Sequence, residues 1–487
     1  MTHSATEQLM IELINRARLD PLAEAARQGI VLDQGLAAGA ITGAAKQVLA
    51  PNAALLQAAD AHSAWMLAAA VVSHTGAGGS SAGERMTQAG YVFGGGWSWS
   101  ENLSFWGSTG GVDAQAVIPV QFANLFASAG HRANMFAAAS REIGVGQEIG
   151  LYKGYHSSFV TQNFAYSGES RFLTGVAIRD ADGDQFYDAG EGRGGVGFAI
   201  QGGVQVASAA AGGYALTHQG AGSVTVTVTA GGQQTRIAAN FGTENIKLDV
   251  LVDAAGKAVK FLTTGGVGLI DGAVRDVALL GIADAWLGGG SGDDTLTGNS
   301  GNSTLEGGAG RDLLTGAAGD NLLSGGTGRD TLQAGAGHDR LQGGAGADRI
   351  VAGAGHDTAW GGLGNDRLLM GAGNDRAFGG DGADTIAGGA GDDTLTGGAG
   401  ADRFEFIRGN HHNRITDFSL AEGDTLAFDA RLWLATHGTL TAAQVVETFA
   451  TLQPGGAAVL DFGAGGTVVS LQGLGTLDGL ADALILF

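Results

Sequence analysis

Cysteine is absent from all 487 residues. No disulfide can staple the chain and no thiolate can act as nucleophile or ligand, so stability has to come from core packing and bound ions. Proline is nearly missing too, with 4 in all. Positive charge is scarce: 26 Lys and Arg stand against 48 Asp and Glu, for a net charge of −22. That balance argues against nucleic acid and anionic membrane surfaces as partners and for cations. No apolar run reaches 18 residues, so no membrane span is expected. The opening Met1-Thr2-His3-Ser4-Ala5-Thr6-Glu7-Gln8 has neither a basic nor an apolar region, so no N-terminal signal peptide is expected. Neither a Ser-His-Asp nor a Cys-His nucleophile signature is expected.

Glycine, by contrast, numbers 89, far above ordinary usage. Much of it lies between Gly289 and Glu405, which divide into thirteen consecutive nine-residue units of the form G-G-x-G-x-D-x-U-x, with U apolar. The sixth place is Asp in eleven units: Asp294, Asp312, Asp330, Asp339, Asp348, Asp357, Asp366, Asp375, Asp384, Asp393 and Asp402. Ser303 and Asn321 fill the other two. The eighth place is Leu, Ile or Phe except at Ala359 and Ala377.

Chemistry explains the unit. Glycines at the first, second and fourth places let the backbone turn sharply at positive φ. The Asp supplies a hard oxygen of the kind Ca²⁺ prefers. The x-U-x piece makes a short strand with U inward. Two units complete one coil of a parallel β-roll, so equivalent Asp residues stack roughly 4.8 Å apart. At that distance two carboxylates repel by about 0.9 kcal/mol even in water. One aliphatic side chain per unit cannot offset the ordering entropy of so many glycines. The tail is therefore expected to be disordered without calcium and folded with it. A flexible linker would not hold an unbroken nine-residue register. The G-x-G-x-x-G look-alikes inside the repeats do not lead from a strand into a helix, so no dinucleotide site is read from them. The unit resembles the RTX (hemolysin-type) calcium-binding repeat.

Residues 5–167 carry less glycine and read as α+β. Helices are expected from about Glu7 to Leu19, from Pro51 to Val72 with Leu55, Ala59, Ser63 and Met66 on one face, over Gly83–Gln88 and over Ala114–Phe126. Strands are expected at Glu142–Ile149 and Ser157–Ala165. Ser73-His74, Gly83-Glu84-Arg85, Ser100-Glu101-Asn102, Gly130-His131-Arg132-Ala133-Asn134, Ile143-Gly144-Val145-Gly146 and Thr161-Gln162-Asn163-Phe164 follow in that order. The series resembles bacterial CAP (SCP-like) domains. The resemblance implies an α-β-α sandwich whose cleft holds His74, Glu101 and His131, sometimes with a divalent metal. Ser100, Leu125 and Phe159 stand where the family often has Gly, Trp and His. Two imidazoles and a carboxylate suit Zn²⁺ with an open position, or acid–base work. Scaffolding of the cleft is the competing reading. His62 is read as a packed polar residue, and Arg132 as paired locally.

Residues 172–255 alternate apolar and polar residues, which argues for a small antiparallel β-sandwich. Asp180, Asp182, Asp184, Asp188 and Glu191 fall at places 1, 3, 5, 9 and 12 of an EF-hand-like loop, the spacing of a calcium site. Its sixth place is Gln185 where glycine is usual, and its flanks read as strands. It resembles the calcium loops of bacterial surface β-sandwich repeats.

Residues 265–405 are expected to form the roll, with Val267–Leu287 as degenerate entry coils. A cap and export region is expected over 406–487, because an open coil end exposes unpaired backbone. The latter is similar to the segment that follows RTX rolls in proteins exported by type I ABC transporters, and Asp482-Ala483-Leu484-Ile485-Leu486-Phe487 to their uncleaved signal. His411-His412 is read as a solvated loop.

The whole reads as a multidomain, secreted, extracellular calcium-binding protein: CAP-like α-β-α sandwich, β-sandwich, RTX β-roll and β cap. Its expected partners are calcium ions, the export transporter and an extracellular ligand for the cleft. A metal-assisted hydrolase or peptidase, and a surface or matrix structural protein, are the alternatives.

Overall fold

A computed structural model describes residues 2–407, 412–463 and 467–487. The chain divides into two compact units, Met1–Ala283 and Asp284–Phe487. His411 lies outside the described residues. Among the described residues, no helix is long and apolar enough to cross a membrane.

The first unit begins with α1 (Ala5–Leu19), where Ser4 and Glu7 close a capping box, and α2 (Pro21–Arg27). There follow β1 (Ala50–Pro51), α3 (Ala53–Ala68), α4 (Ala82–Gln88), β2 (Trp97–Ser108), α5 (Ala114–Ala127), α6 (Ala129–Met135), β3 (Glu142–Tyr152) and β4 (Tyr155–Ser167). The four strands form one sheet in the order β1-β3-β4-β2. Pro51 does not open the second helix. It pairs with Ile143 in β1, and Asn52 caps α3 by accepting from the N–H groups of Ala54 and Leu55 at 2.9 and 3.1 Å, satisfying donors that the first turn leaves unpaired. The expected face of that helix is buried, with Leu55, Ala59, Ser63 and Met66 all at 0% exposure.

The I-G-V-G segment shows how period-two alternation builds this domain. Ile143 and Val145 join the core made by Ile11, Ile14, Ile118 and Phe122 of α1 and α5. Each such side chain contributes roughly 1.5–3 kcal/mol by leaving water. Gly144 and Gly146 point the other way, where a Cβ would run into the α3 backbone at Leu55 and at Asp60. The glycines let that helix lie directly on the sheet. Gly144→Val is expected to lower the stability of the first unit by at least the roughly 1–3 kcal/mol typical of overpacking, measured as a shift of its thermal transition; an unchanged transition would refute this account of the packing.

The first unit continues with β5 (Ser170–Ile178), β6 (Gly197–Ile200), β7 (Gln205–Ala207), β8 (Gly213–Gln219), β9 (Gly222–Ala230), β10 (Gln233–Phe241), β11 (Ile246–Val252), β12 (Ala258–Thr263), β13 (Val267–Gly272) and β14 (Asp276–Leu279). They form two sheets, one ordered β8-β5-β11-β12-β14 and the other β7-β6-β9-β10-β13. The pairing is not wholly antiparallel as expected: β5 with β11 and β12 with β14 run parallel. Of the expected entry coils, β14 has parallel pairing, whereas β13 pairs antiparallel with β10.

The second unit is a parallel β-solenoid. Its strands alternate between two sheets, and each pairs with the strand 18 residues on, as in Leu305↔Leu323↔Leu341↔Ala359 and Leu314↔Leu332↔Ile350↔Leu368. These eighth-place residues are all fully buried. The coil outlasts the repeats. His412–Ile415 and Val468–Leu471 extend one sheet, Thr425–Phe428 and Leu484–Leu486 the other. Phe428, Trp433, Phe449 and Phe462 form an aromatic cluster beside them.

The role of glycine within the unit differs from expectation at one place. Second- and fourth-place glycines such as Gly344 and Gly346 have φ of 113° and 145°. First-place glycines do not adopt positive φ. Their need is steric: a Cβ at Gly307, Gly325 or Gly343 would stand 2.5 Å from Oδ2 of Asp312, Asp330 or Asp348.

Candidate metal centres and cleft

The sixth-place residues build two columns in the solenoid. In one, each backbone N–H donates to Oδ1 of the residue a coil later: Asp294 to Asp312, Asp312 to Asp330 and Asp330 to Asp348 at 2.8 Å. The series continues through Asp366 and Asp384 to Asp402. In the other column Ser303 and Asn321 precede Asp339, Asp357, Asp375 and Asp393, with the same bonds at 2.7–2.9 Å.

In the carboxylates from Asp312 and Asp339 onward one oxygen is thus used, and the other is stranded. Oδ2 of Asp312, Asp330, Asp339, Asp348, Asp357, Asp366, Asp375, Asp384, Asp393 and Asp402 is buried and without a hydrogen-bond partner. A buried charge without a partner is costly. Burial, foremost, pushes Asp312, Asp339, Asp348 and Asp402 up to about 6 and Asp366 and Asp393 to about 7, and nearby carboxylates add to it. Stacked, dehydrated hard oxygens that hold protons this firmly are a fitting donor set for Ca²⁺.

The sequence reading missed that both columns continue. The Asp402 N–H donates to Asp424 Oδ1 at 2.9 Å and the Asp393 N–H to Asn413 Oδ1 at 3.3 Å. The spacing jumps there from 18 to 22 and 20 residues, which hides the ladder from a search for nine-residue units. Asn321 shows that a neutral isostere fits the column. Asp348→Asn with Asp366→Asn is therefore expected to leave the strand register intact while raising the calcium midpoint about tenfold or more, through the loss of ligand charge; calcium titration followed by circular dichroism measures it.

In the acidic loop of the first unit, carboxylate oxygens of Asp180, Asp182 and Asp184 lie within 4.8 Å of one another. Asp188 and Glu191 stand outside that group. Glu191 instead closes the loop, accepting from the N–H groups of Ala181 at 2.6 Å and Asp188 at 3.2 Å. Gln185, at the place where glycine is usual, takes φ of 59°, so the sharp turn is made without glycine.

His74 and Glu101 are joined directly, and a fourth residue, Arg85, closes on both. His74 Nδ1 lies 2.9 Å from Glu101 Oε1, and Arg85 Nη2 bonds the other carboxylate oxygen. Arg85 Nη1 also donates to the carbonyls of Ser80 and His74 at 2.8 and 3.1 Å. Asn102 Nδ2 donates to the His131 carbonyl at 3.0 Å, and Asn134 Nδ2 to Asn102 Oδ1 at 2.8 Å. Burial, and after it the nearby His74, lowers the pKa of His131. The G-E-R triplet was the sequence signal for Arg85, but its role becomes visible only in space.

Each oxygen of Glu101 carries one of these bonds, and that to Nδ1 orients the His74 ring. The imidazoles of His74 and His131 are the other candidate donors for a divalent ion. Glu101→Gln is expected to cost the first unit about 3 kcal/mol, because the side chain of Arg85, 10% exposed, loses its counter-charge; thermal denaturation checks this, and a shift under 1 °C would contradict it.

Two further readings change with the structure. Arg132 does not pair locally alone: its guanidinium reaches the carbonyls of Leu32 and Gln34 as well as Phe126 and Ala127. The G-x-S-x-G spacing, expected to be absent, is present at Gly79-Ser80-Ser81-Ala82-Gly83. Ser81 is, however, the N-cap of α4, bonded to Glu84 in a capping box, and its hydroxyl has no histidine beside it among the described contacts.

The first unit thus opens with an α/β domain bearing a His–Glu–Arg cluster, and the second is a parallel solenoid with two aspartate columns. The cysteine-rich secretory protein (CAP) family matches residues 11–164. The RTX calcium-binding nonapeptide repeat matches successive segments between residues 288 and 404. The chain thus carries a CAP domain followed by RTX calcium-binding repeats. Similar solved structures include an extracellular SCP-domain protein of Bacillus anthracis, 20% identical over 33% of this chain and 40% of that one, with a TM-score of 0.22. Another is the extracellular lipase LipA of Serratia marcescens, 21% identical over 44% of this chain and 45% of that one, with a TM-score of 0.18. The chain therefore spans less than half the length of either. No curated protein matches it.

Proposed function

We propose that calcium folds the solenoid after export and that the folded chain presents its CAP domain to an extracellular ligand. The observation that carries this reading is the set of buried Oδ2 atoms without partners along the two aspartate columns. Where calcium is low, as in a cytosol, such columns resist closing, and an unfolded chain can thread a narrow conduit. Outside, about millimolar calcium meets the affinities of roughly 10⁻⁴–10⁻³ M typical of extracellular modules. A type I ABC transporter would be the route, with residues 406–487 as the segment it reads. The loop at Asp180, Asp182 and Asp184 would hold a structural calcium.

For the cleft, the paired state of Glu101 favours binding over catalysis. A divalent ion there, held by His74 and His131, would supply a Lewis acid, while Glu101 kept the His74 ring in place. The binding reading is tested with a broad peptide library. No cleavage, or equal cleavage by wild type and His131→Ala, supports it. Cleavage by wild type alone would replace it with a metal-assisted hydrolase. Export is tested by deleting residues 406–487, which is expected to abolish release from cells; undiminished release would refute that part.

A further inference from the structure

The two columns of the solenoid are not equivalent. The first, from Asp294 to Asp402, has aspartate at the sixth place of every unit, whereas the second opens with Ser303 and Asn321 before its four aspartates. Two further differences lie at other places of the unit.

One is at the first place. In the first column it is glycine throughout, from Gly289 to Gly397. From Gly307 to Gly379, the point where a Cβ would stand lies within 2.7 Å of two oxygens. These are Oδ2 of the unit's own aspartate and the carbonyl of the first-place glycine one coil on. A buried, unpaired carboxylate oxygen and a backbone carbonyl thus converge from adjacent coils, and both are donors that Ca²⁺ takes. Only glycine keeps the room beside them clear. In the second column the units of Asp339, Asp357 and Asp375 begin with Ala334, Ala352 and Met370. These three are fully buried and continue the register of Gly316, so a side chain stands where the first column has none. Gly298 and Gly316 do hold the first place, but their units carry Ser303 and Asn321. Gly388 keeps an aspartate, Asp393, whose next rung is Asn413. No unit of the second column combines the glycine, its aspartate and a following aspartate.

The other difference is at the fifth place. In the second column its side chain accepts from the backbone N–H of the fifth place one coil on. This outer ladder runs unbroken from Asp284 through Asn302, Asp320, His338 and His356 to His412, at 2.7–3.0 Å. In the first column Asp293 and Asn365 make the same bond. Arg311, Arg329, Ala347, Ala383 and Ala401 hold the remaining fifth places, and none of them has a side-chain acceptor. Protein groups therefore fasten the turns of the second column along their whole length, and those of the first column lack that fastening.

We propose that the columns are two classes of calcium site: the first holds the ions that fold the solenoid, and the second, closed by its own hydrogen bonds, takes calcium only weakly. This rests on the reading that calcium folds the solenoid, and adds which residues hold the ions.

Full-length chains carrying Asp348→Asn with Asp366→Asn, or Asp339→Asn with Asp357→Asn, are titrated with calcium. Circular dichroism follows folding and equilibrium dialysis counts the tightly bound ions. The first pair is expected to raise the midpoint about tenfold and to lower the number of ions bound, because ligand charge sets affinity. The second pair, with equal loss of charge, is expected to shift the midpoint by less than about twofold and to leave that number unchanged. Should the first pair fail to fold, the second decides alone. Equal shifts, loss of tightly bound ions from the second pair, or its failure to fold in saturating calcium overturns the assignment and leaves calcium-driven folding standing. A wild-type chain that neither binds calcium nor changes its signal overturns both.

Discussion

Chelating calcium from the purified chain is expected to abolish most of the β-sheet signal of residues 284–487 while the helices of the first unit keep theirs. The expectation follows from what each half of the chain has to offset. The helices of the first unit bury broad apolar faces against a sheet, and that core includes no group that needs an ion. In the solenoid, each nine-residue unit buries little more than one aliphatic side chain, worth roughly 1.5–3 kcal/mol, against backbone ordering of about 1–2 kcal/mol per residue and more for glycine. Backbone ladders improve the balance only modestly, since each hydrogen bond nets about 1 kcal/mol. Stranded carboxylate oxygens then weigh against folding. Circular dichroism in chelator, and again with about 5–10 mM calcium to saturate sites of this class, should show the sheet signal vanish and return. A signal indifferent to calcium would count against the account.

Acid should stand in for the ion. Burial raises the column aspartates, Asp366 and Asp393 to about 7 and Asp312, Asp339, Asp348 and Asp402 to about 6, from an ordinary value of 3.8. The folded state therefore binds protons more tightly than the unfolded one. The stability those protons bring is fully present below about pH 4 and is lost as pH rises through 6 to 7. In chelator, the solenoid should show more β structure at pH 4 than at pH 7.5, the reverse of ordinary acid denaturation. With calcium present, lowering the pH from 7 to 5 should raise the calcium midpoint, as protons and ions compete for the same oxygens. An apo solenoid that unfolds further on acidification would show that the columns are not held apart by their charge.

The repeats were legible because their pattern is written at a constant interval, and an 18-residue coil follows from a nine-residue unit directly. Legibility ended where the interval did: Asn413 and Asp424 occupy the same columns but follow longer sequence intervals. The strand β2 was not foreseen, because its run from Trp97 to Ser108 mixes aromatic, polar and charged residues whose alternation makes sense only beside β4. The cleft histidines and Glu101 could be named from motif order. Their state could not, because the partner that engages Glu101 comes from another element. The parallel pairing of β5 with β11 was equally out of reach, since alternation marks a strand and not its neighbour. Gln185 at positive φ shows a turn whose geometry is imposed by surrounding carboxylates that accept from the backbone, Asp180 Oδ2 among them, and not by the residue's own preference.

Amide hydrogen exchange over residues 289–405, compared in calcium and in chelator at neutral pH, tests the central claim most directly, because the backbone N–H groups of the column aspartates are themselves the donors of the ladder. The account predicts strong protection with calcium and exchange at nearly the unfolded rate without it. Equal protection in both conditions would contradict it.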